Sequence, residues 1–145
     1  MQVSDILRHK GTAVLTVHPE TSVEDAVQML GNNRVGALVI SEDGTSIDGI
    51  LSERDVVAHL AAVGRSGLDS TVATVMTRQV QTCVPGDTVE QIMSVMTEGR
   101  FRHLPVVIDG GLAGIVSIGD AVERRVNELE TERAQLHDYI QTGRT

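Results

Sequence analysis

A seven-residue phrase is written twice in this chain of 145 residues. Residues 49–55 read GILSERD, and residues 114–120, 65 positions later, read GIVSIGD. Gly, Ile, a third aliphatic, Ser and a closing Asp recur in register. An internal repeat at this spacing limits the fold more than any composition figure, because each copy must form the same supersecondary unit. The match also extends backwards. Residues 3–7 (VSDIL) align with 72–76 (VATVM), and residues 19–30 (PETSVEDAVQML) align with 85–96 (PGDTVEQIMSVM).

Both copies carry the same order of local signals. Thr21 with Glu24, and Asp87 with Glu90, stand three apart and predict helix N-caps with capping-box partners. Val23, Ala26, Val27 and Leu30, like Val89, Ile92, Met93 and Met96, follow the i, i+3, i+4, i+7 spacing of one buried helix face. Aliphatic strands are expected at 37–40 and 104–108, turn-formers at 42–46 and 109–111, and second strands at 47–51 and 112–116. The phrase closes that second strand and opens another helix, with Val56, Val57 and Leu60 apolar in the first copy. Each copy thus reads strand, helix, strand, strand, helix, an α/β (α+β) unit. The chain divides into repeat 1 (1–63), a small-residue linker (64–71), repeat 2 (72–126) and a C-terminal helix extension (127–145). A unit of ~60 residues buries only ~60% of its unfolded surface and is marginal alone. Two units that cover each other's sheets remove that weakness. One body with internal pseudo-twofold symmetry is therefore expected.

What could the phrase do? Ser-x-x-Asp at a strand-to-helix junction is itself a capping box, useful in any protein. A helix N-terminus at a strand end also points free backbone N–H groups beyond the sheet, which suits a phosphate. The Ser hydroxyl can join them, and a carboxylate one turn on can accept two hydrogen bonds from a ribose diol. Arg54 lies inside the first phrase, and Arg100, Arg102 and His103 surround the start of the strand at 104. The formal charge is −8, so such clustering of cations points to an anionic ligand. The same charge, with no Lys/Arg stripe, argues against nucleic acid and anionic lipid as partners.

The tandem repeat, the stretch RHLPVV (102–107) and the two Gly-aliphatic-x-Ser-x-x-Asp phrases closely resemble a pair of CBS domains, the arrangement called a Bateman module. The resemblance covers about residues 3–122. It implies two motifs packed through their sheets, with two clefts that hold adenosine-containing ligands: AMP foremost, with ATP or NAD(H) as alternatives. It also implies roles for named residues. Ser52 or Ser117 would face phosphate, Asp55 or Asp120 the ribose, Ile50 and Ile115 the adenine, and Arg102 with His103 the phosphate. Repeat 1 departs from this pattern, with Gly36 and Ala37 in place of the basic pair and Val39 in place of the Pro. Unequal clefts are expected, the tighter one, for a compact phosphate ligand, built on Ser52, Arg54 and Asp55, and a weaker or roomier one on Ser117 and Asp120.

Other constellations fail. Five His residues at 9, 18, 59, 103 and 137 lack metal-ligand spacing, and one Cys cannot build a zinc site. No G-x-S-x-G, P-loop or Rossmann fingerprint occurs. Cys83 reads as a small core residue at a strand end, His59 and His137 as helix-surface residues, and Met29, Met93 and Met96 as core. With one Phe, one Tyr and no Trp, a base-binding pocket is expected to use Val, Ile and Met. A regulatory, non-enzymatic module with an unidentified partner protein is expected, the rival being a constitutive structural or interaction protein. No apolar run approaches the ~20 residues of a membrane span, the N-terminus lacks a secretory pattern, and a lone Cys agrees with a cytoplasmic location. Val122, Val126, Leu129, Leu136 and Ile140 follow 4, 3, 7, 4 spacing, with Arg133 at the skipped position. They resemble a coiled-coil seam, and a homodimer is what the CBS-pair resemblance implies, since such modules commonly form flat discs with four motifs.

Overall fold

A computed structural model describes residues 1–143. Each repeat opens with a short helix, α1 (Val3–Lys10) in the first and α4 (Val72–Val75) in the second. Repeat 1 continues with β1 (Thr16–Val17), α2 (Val23–Asn33), β2 (Ala37–Ile40), β3 (Gly49–Ser52) and α3 (Glu53–Val63). Repeat 2 continues with α5 (Val89–Gly99), β4 (His103–Ile108), β5 (Gly111–Ser117) and a long α6 (Ile118–Thr142). β1 runs parallel to β2, which pairs antiparallel with β3; β4 and β5 form an antiparallel pair with a bulge at Val106/Val107. The registers repeat: Ala37 opposes Ser52 as His103 opposes Ser117. In repeat 2 the expected first strand shrinks to one parallel bridge between Cys83 and Val106.

The helix caps fall one residue later than expected. Ser22 caps α2 by accepting from the Asp25 N–H, and Thr88 caps α5 in a box with Gln91. Thr21 and Asp87 are excluded because their carbonyls serve another segment. The Val72 N–H donates to Thr21 O at 2.8 Å, and the Val3 N–H to Asp87 O at 2.9 Å. In return Val23 donates to Ser70 O and Val89 to Met1 O. These reciprocal bonds satisfy N–H groups that helix starts otherwise leave unpaired. They also pin each leading helix onto the other repeat.

The cores follow that exchange. Val3, Ile6 and Leu7 of α1 pack with Val89, Ile92, Met96, Leu104, Val106 and Val116, whereas Val72 of α4 packs with Val23, Leu30, Leu38, Ile40 and Leu51. Deleting one leading helix would open the core of the opposite repeat. A fully buried aliphatic side chain is worth roughly 1.5–3 kcal/mol. The glycine opening each phrase marks where the crossing segment arrives. A Cβ on Gly49 would sit 2.9 Å from Thr77 O and clash with Met76; one on Gly114 would meet Leu7 Cδ2 at 3.0 Å.

Two further expectations change. Val27 is exposed, so the buried face of α2 is Val23, Ala26 and Leu30. His59, expected on the helix surface, is half-buried against the linker, which forms a 3₁₀ turn at Arg65–Asp69, and its Nε2 lies 3.0 Å from Ser70 Oγ. Cys83 is buried, and burial followed by the Asp87 charge pushes its thiol up to about 12. From Leu129 onward every described residue of α6 is exposed. No helix among the described residues is long and apolar enough to cross a membrane.

Candidate functional site

Both phrases fold as capping boxes. The Asp55 N–H donates to Ser52 Oγ at 3.2 Å while Asp55 Oδ2 accepts from the Ser52 N–H at 2.9 Å. The Asp120 N–H donates to Ser117 Oγ at 3.1 Å, and Asp120 Oδ2 accepts from the Ser117 N–H at 2.9 Å. The first helical N–H of each helix is also tied down, Glu53 to Gly36 O and Ile118 to Arg102 O. Capping thus accounts for why Ser and Asp recur. It does not account for what surrounds the first copy.

Ile50, Ser52, Arg54 and Asp55 line a cavity of about 570 Å³, inside the ~300–1,000 Å³ range of small-molecule sites. Its opposite wall comes from repeat 2. Arg100 closes α5 in a left-handed conformation (φ 58°), and Phe101, Arg102 and His103 follow it into β4. The basic pair therefore reinforces the cleft that already holds Arg54, a question the sequence left open. Arg54 Nη1 reaches across to Arg100 O at 3.3 Å. Gly36 lies close to this seam: a Cβ there would lie 3.0 Å from both His103 Cε1 and Glu53 Oε1, so those side chains would have to give way. The floor is the extended chain after α4. Thr77 exchanges two backbone hydrogen bonds with Ile50, and its hydroxyl lies 3.4 Å from Asp55 Oδ1. Gln79, Val80 and Gln81 continue along the same wall.

The sequence reading missed part of this lining. Phe101, the sole phenylalanine, lies in the cavity wall, contrary to the expectation of a purely aliphatic pocket. Thr77, Gln79 and Gln81 carry no local signal, because only the crossing of the repeats brings them to Ile50. Arg100 was visible as part of a basic cluster.

Ile115, Ser117 and Asp120, the second predicted set, lie around a different occupant. Lys10 Nζ donates to Asp120 Oδ2 at 2.8 Å and to Ile115 O at 3.0 Å. Burial pushes the Asp120 carboxyl up, but the Lys10 hydrogen bond, the Ser117 N–H and the Lys10 charge outweigh it and hold it below the usual value. His103 stands between the two sets, lining the first cavity while its strand position opposes Ser117. Burial, then the Lys10 charge, holds its imidazole below 6.5 against the opposing pull of Asp120 and Glu53. Among the described residues, no group of three or more His, Cys, Asp or Glu is placed to hold a metal ion.

Comparison with known proteins identifies the fold. The family profile of the CBS domain matches residues 3–62 and 72–127. The CBS domain-containing protein CBSX3, mitochondrial, of Arabidopsis thaliana is 36% identical over 97% of this chain and 72% of its own length. The CBS-domain protein ATU1752 of Agrobacterium tumefaciens is 42% identical, with a TM-score of 0.83 over 86% of this chain and 92% of that one. CBSX2 in complex with AMP superposes with a TM-score of 0.70 at 28% identity, covering 87% and 96% of the two chains. The CBS domain pair of MJ0100, in complex with 5′-methylthioadenosine and S-adenosyl-L-methionine, gives 0.77 at 26% identity, covering 88% and 98%. With two profile matches that account for most of its length, this chain belongs to the CBS-domain family and carries a tandem CBS pair.

Proposed function

We propose that this protein is a non-enzymatic regulatory module that takes an adenosine-containing nucleotide, AMP foremost, in the cleft of the first phrase. The carrying observation is the charge pattern of that cleft. In a chain of net charge −8, Arg54, Arg100 and Arg102 converge on one cavity beside the first turn of α3, where they outnumber Glu53 and Asp55, and His103 adds a neutral imidazole to the lining. There the helix dipole adds its own attraction for an anion. Ile50, Val80 and Phe101 supply apolar surface for a base, and in this reading Ser52 offers the phosphate a donor and Asp55 offers the ribose an acceptor. That CBS pairs of similar shape were solved with AMP and with S-adenosyl-L-methionine supports the ligand class. ATP and NAD(H) share the adenosine and the anionic group, and bind the same cleft in this reading. Occupancy is passed to a partner protein as a difference in affinity between two shapes of the module. A cytoplasmic location fits this role.

The module works as a homodimer. Val122, Val126, Leu129, Leu136 and Ile140 are 43–71% exposed along α6. An apolar row of that length on a projecting helix suits a second copy of itself. Light scattering at micromolar concentration is expected to give twice the chain mass, and truncation after Val126 to lower it to one. A monomer mass for the intact chain overturns the dimer.

Calorimetry against AMP, ADP, ATP, NAD+ and NADH tests the ligand reading. Saturable binding that is weakened at least about tenfold in Asp55→Ala is expected. Silence for all five leaves the rival, a constitutive interaction protein whose phrases serve only as caps. The complete capping boxes favour that rival as far as they go.

A further inference from the structure

Lys10 is the only lysine in the chain. It ends α1, where Gly11 turns the chain away at φ 94°. Its ammonium holds the Asp120 carboxylate at 2.8 Å and the Ile115 carbonyl at 3.0 Å. Those two residues are the counterparts of Asp55 and Ile50. In the first cleft the same two places meet neutral groups, the Thr77 hydroxyl and the Thr77 backbone. The residue aligned with Lys10 is Gln79, which stands in the cavity wall. Lys10 is about a third exposed and Asp120 less than a quarter, so the pair is partly shielded from solvent. Two looser approaches lie alongside: His9 Nε2 is 3.9 Å from Glu123, and the Met1 ammonium, just before α1, is 3.5 Å from Glu128.

We propose that Lys10 is a tethered occupant of the second cleft and thereby fixes how many nucleotides the chain takes. One site is open, in the first cleft, and the second stays closed to a ribose until Lys10 releases Asp120. This rests on the nucleotide reading of the first cleft. The physical reason is competition for one carboxylate. A ribose diol offers Asp120 two neutral donors, whereas Lys10 offers a full opposite charge at hydrogen-bond distance, from a group already anchored to the same fold. Displacing it leaves an ammonium to be resolvated or to find the ligand's own anion. A contact closed 99 times in 100 weakens the apparent affinity of a competing ligand about a hundredfold. Lys10 thus acts as a specificity-determining residue: it selects between two clefts that share a backbone.

The experiment is a calorimetric titration with AMP of the full chain, Lys10→Met, Asp55→Ala and the double variant. One AMP per chain is expected for the parent, and for Asp55→Ala a site weakened roughly ten- to a hundredfold, unfilled at the concentration that saturates the parent. Lys10→Met is expected to take two, and the double variant one. Two sites in the parent, or one in Lys10→Met, overturns the proposal. A second measurement needs no nucleotide. Acetylation by an N-hydroxysuccinimide ester, mapped by peptide mass, reports Lys10 as the sole side-chain amine. Asp120→Asn keeps an oxygen for the Ser117 cap but removes the charge, and is expected to raise the Lys10 labelling rate about tenfold or more. Equal rates overturn the latch. If no variant binds AMP while Asp120→Asn still accelerates labelling, the nucleotide reading fails and the latch stands.

Discussion

The two phrases build the same backbone and two different clefts. At both, a strand ends in Ser, a capping box closes, and an aliphatic carbonyl two residues before the Ser awaits the crossing segment. After α4 the chain breaks out of helix at Met76 (ψ 153°) and runs extended through Thr77, bridging Ile50 and leaving a cavity. After Leu7 the corresponding helix continues one more turn, so its last side chain, Lys10, reaches the corresponding carbonyl instead. The basic pair at the start of β4 then falls beside the first cleft, because the repeats cross. A duplicated sequence repeats its local structure; its sites are built from the other copy's segments and are free to diverge.

The largest effect that could break this comparison lies at the glycines opening the phrases. Gly49→Ala forces a Cβ against the Thr77 carbonyl and Met76, and is expected to cost about 2–3 kcal/mol in urea unfolding. Gly114→Ala meets only the flexible end of Leu7 and is expected to cost about 1 kcal/mol or less. Equal losses would mean that the crossing segments close alike on both sheets.

Asp55 and Asp120 come next. Asp55→Ala is expected to weaken AMP binding by roughly ten- to a hundredfold, the worth of a charge-assisted contact of ~1.5–3 kcal/mol. Asp120→Ala is expected to leave first-cleft affinity within about threefold, since each alanine costs a cap of ~1 kcal/mol to folding but only one touches that ligand. Parallel losses of affinity would make the clefts functionally equivalent.

The acid limb of stability sharpens the comparison further. His103 is held below its ordinary 6.5 when folded. The unfolded chain therefore binds the extra proton first, and stability present above about pH 6.5 is lost as pH falls through that value. Asp120 is held below 3.8, so its contribution is present above about pH 3.8 and lost as pH falls further, through the folded value. His103→Gln is expected to flatten the upper limb and Lys10→Met the lower one, read from urea midpoints between pH 3 and 8. Lys10→Met is also expected to shrink the upper limb, because the Lys10 charge helps keep His103 neutral. Asp43, lowered by hydrogen bonds from Ser46 and Thr45, contributes to the low limb in all three proteins, so the difference isolates Asp120. Unchanged midpoints in Lys10→Met would show that the Lys10–Asp120 pair adds nothing to the fold.

Much of this protein was legible before any coordinates. Strand 37–40 falls where the aliphatic run placed it, and Ser52, Asp55, Ser117 and Asp120 cap the helices that the phrase opens, because caps and periodic burial are local chemistry. Even the error at Thr21 and Asp87 was local: two overlapping patterns, Thr21–Glu24 and Ser22–Asp25, compete for one helix start. The choice fell to a carbonyl claimed by Val72, about fifty residues away, which no window around Thr21 contains.

The sequence by itself determined the repeat, the cap chemistry, the aliphatic cores and the acidic charge, since each is written in neighbouring residues or in a period. Only the tertiary structure decided which cleft receives Arg102 and His103, that Phe101 joins its wall, and that Lys10 lies against Asp120 and not in solvent. Those outcomes depend on how two leading helices cross to the opposite repeat and where each one stops. Both are set by packing between segments tens of residues apart, where a single turn of helix moves a side chain by about 5 Å and changes which partner it meets.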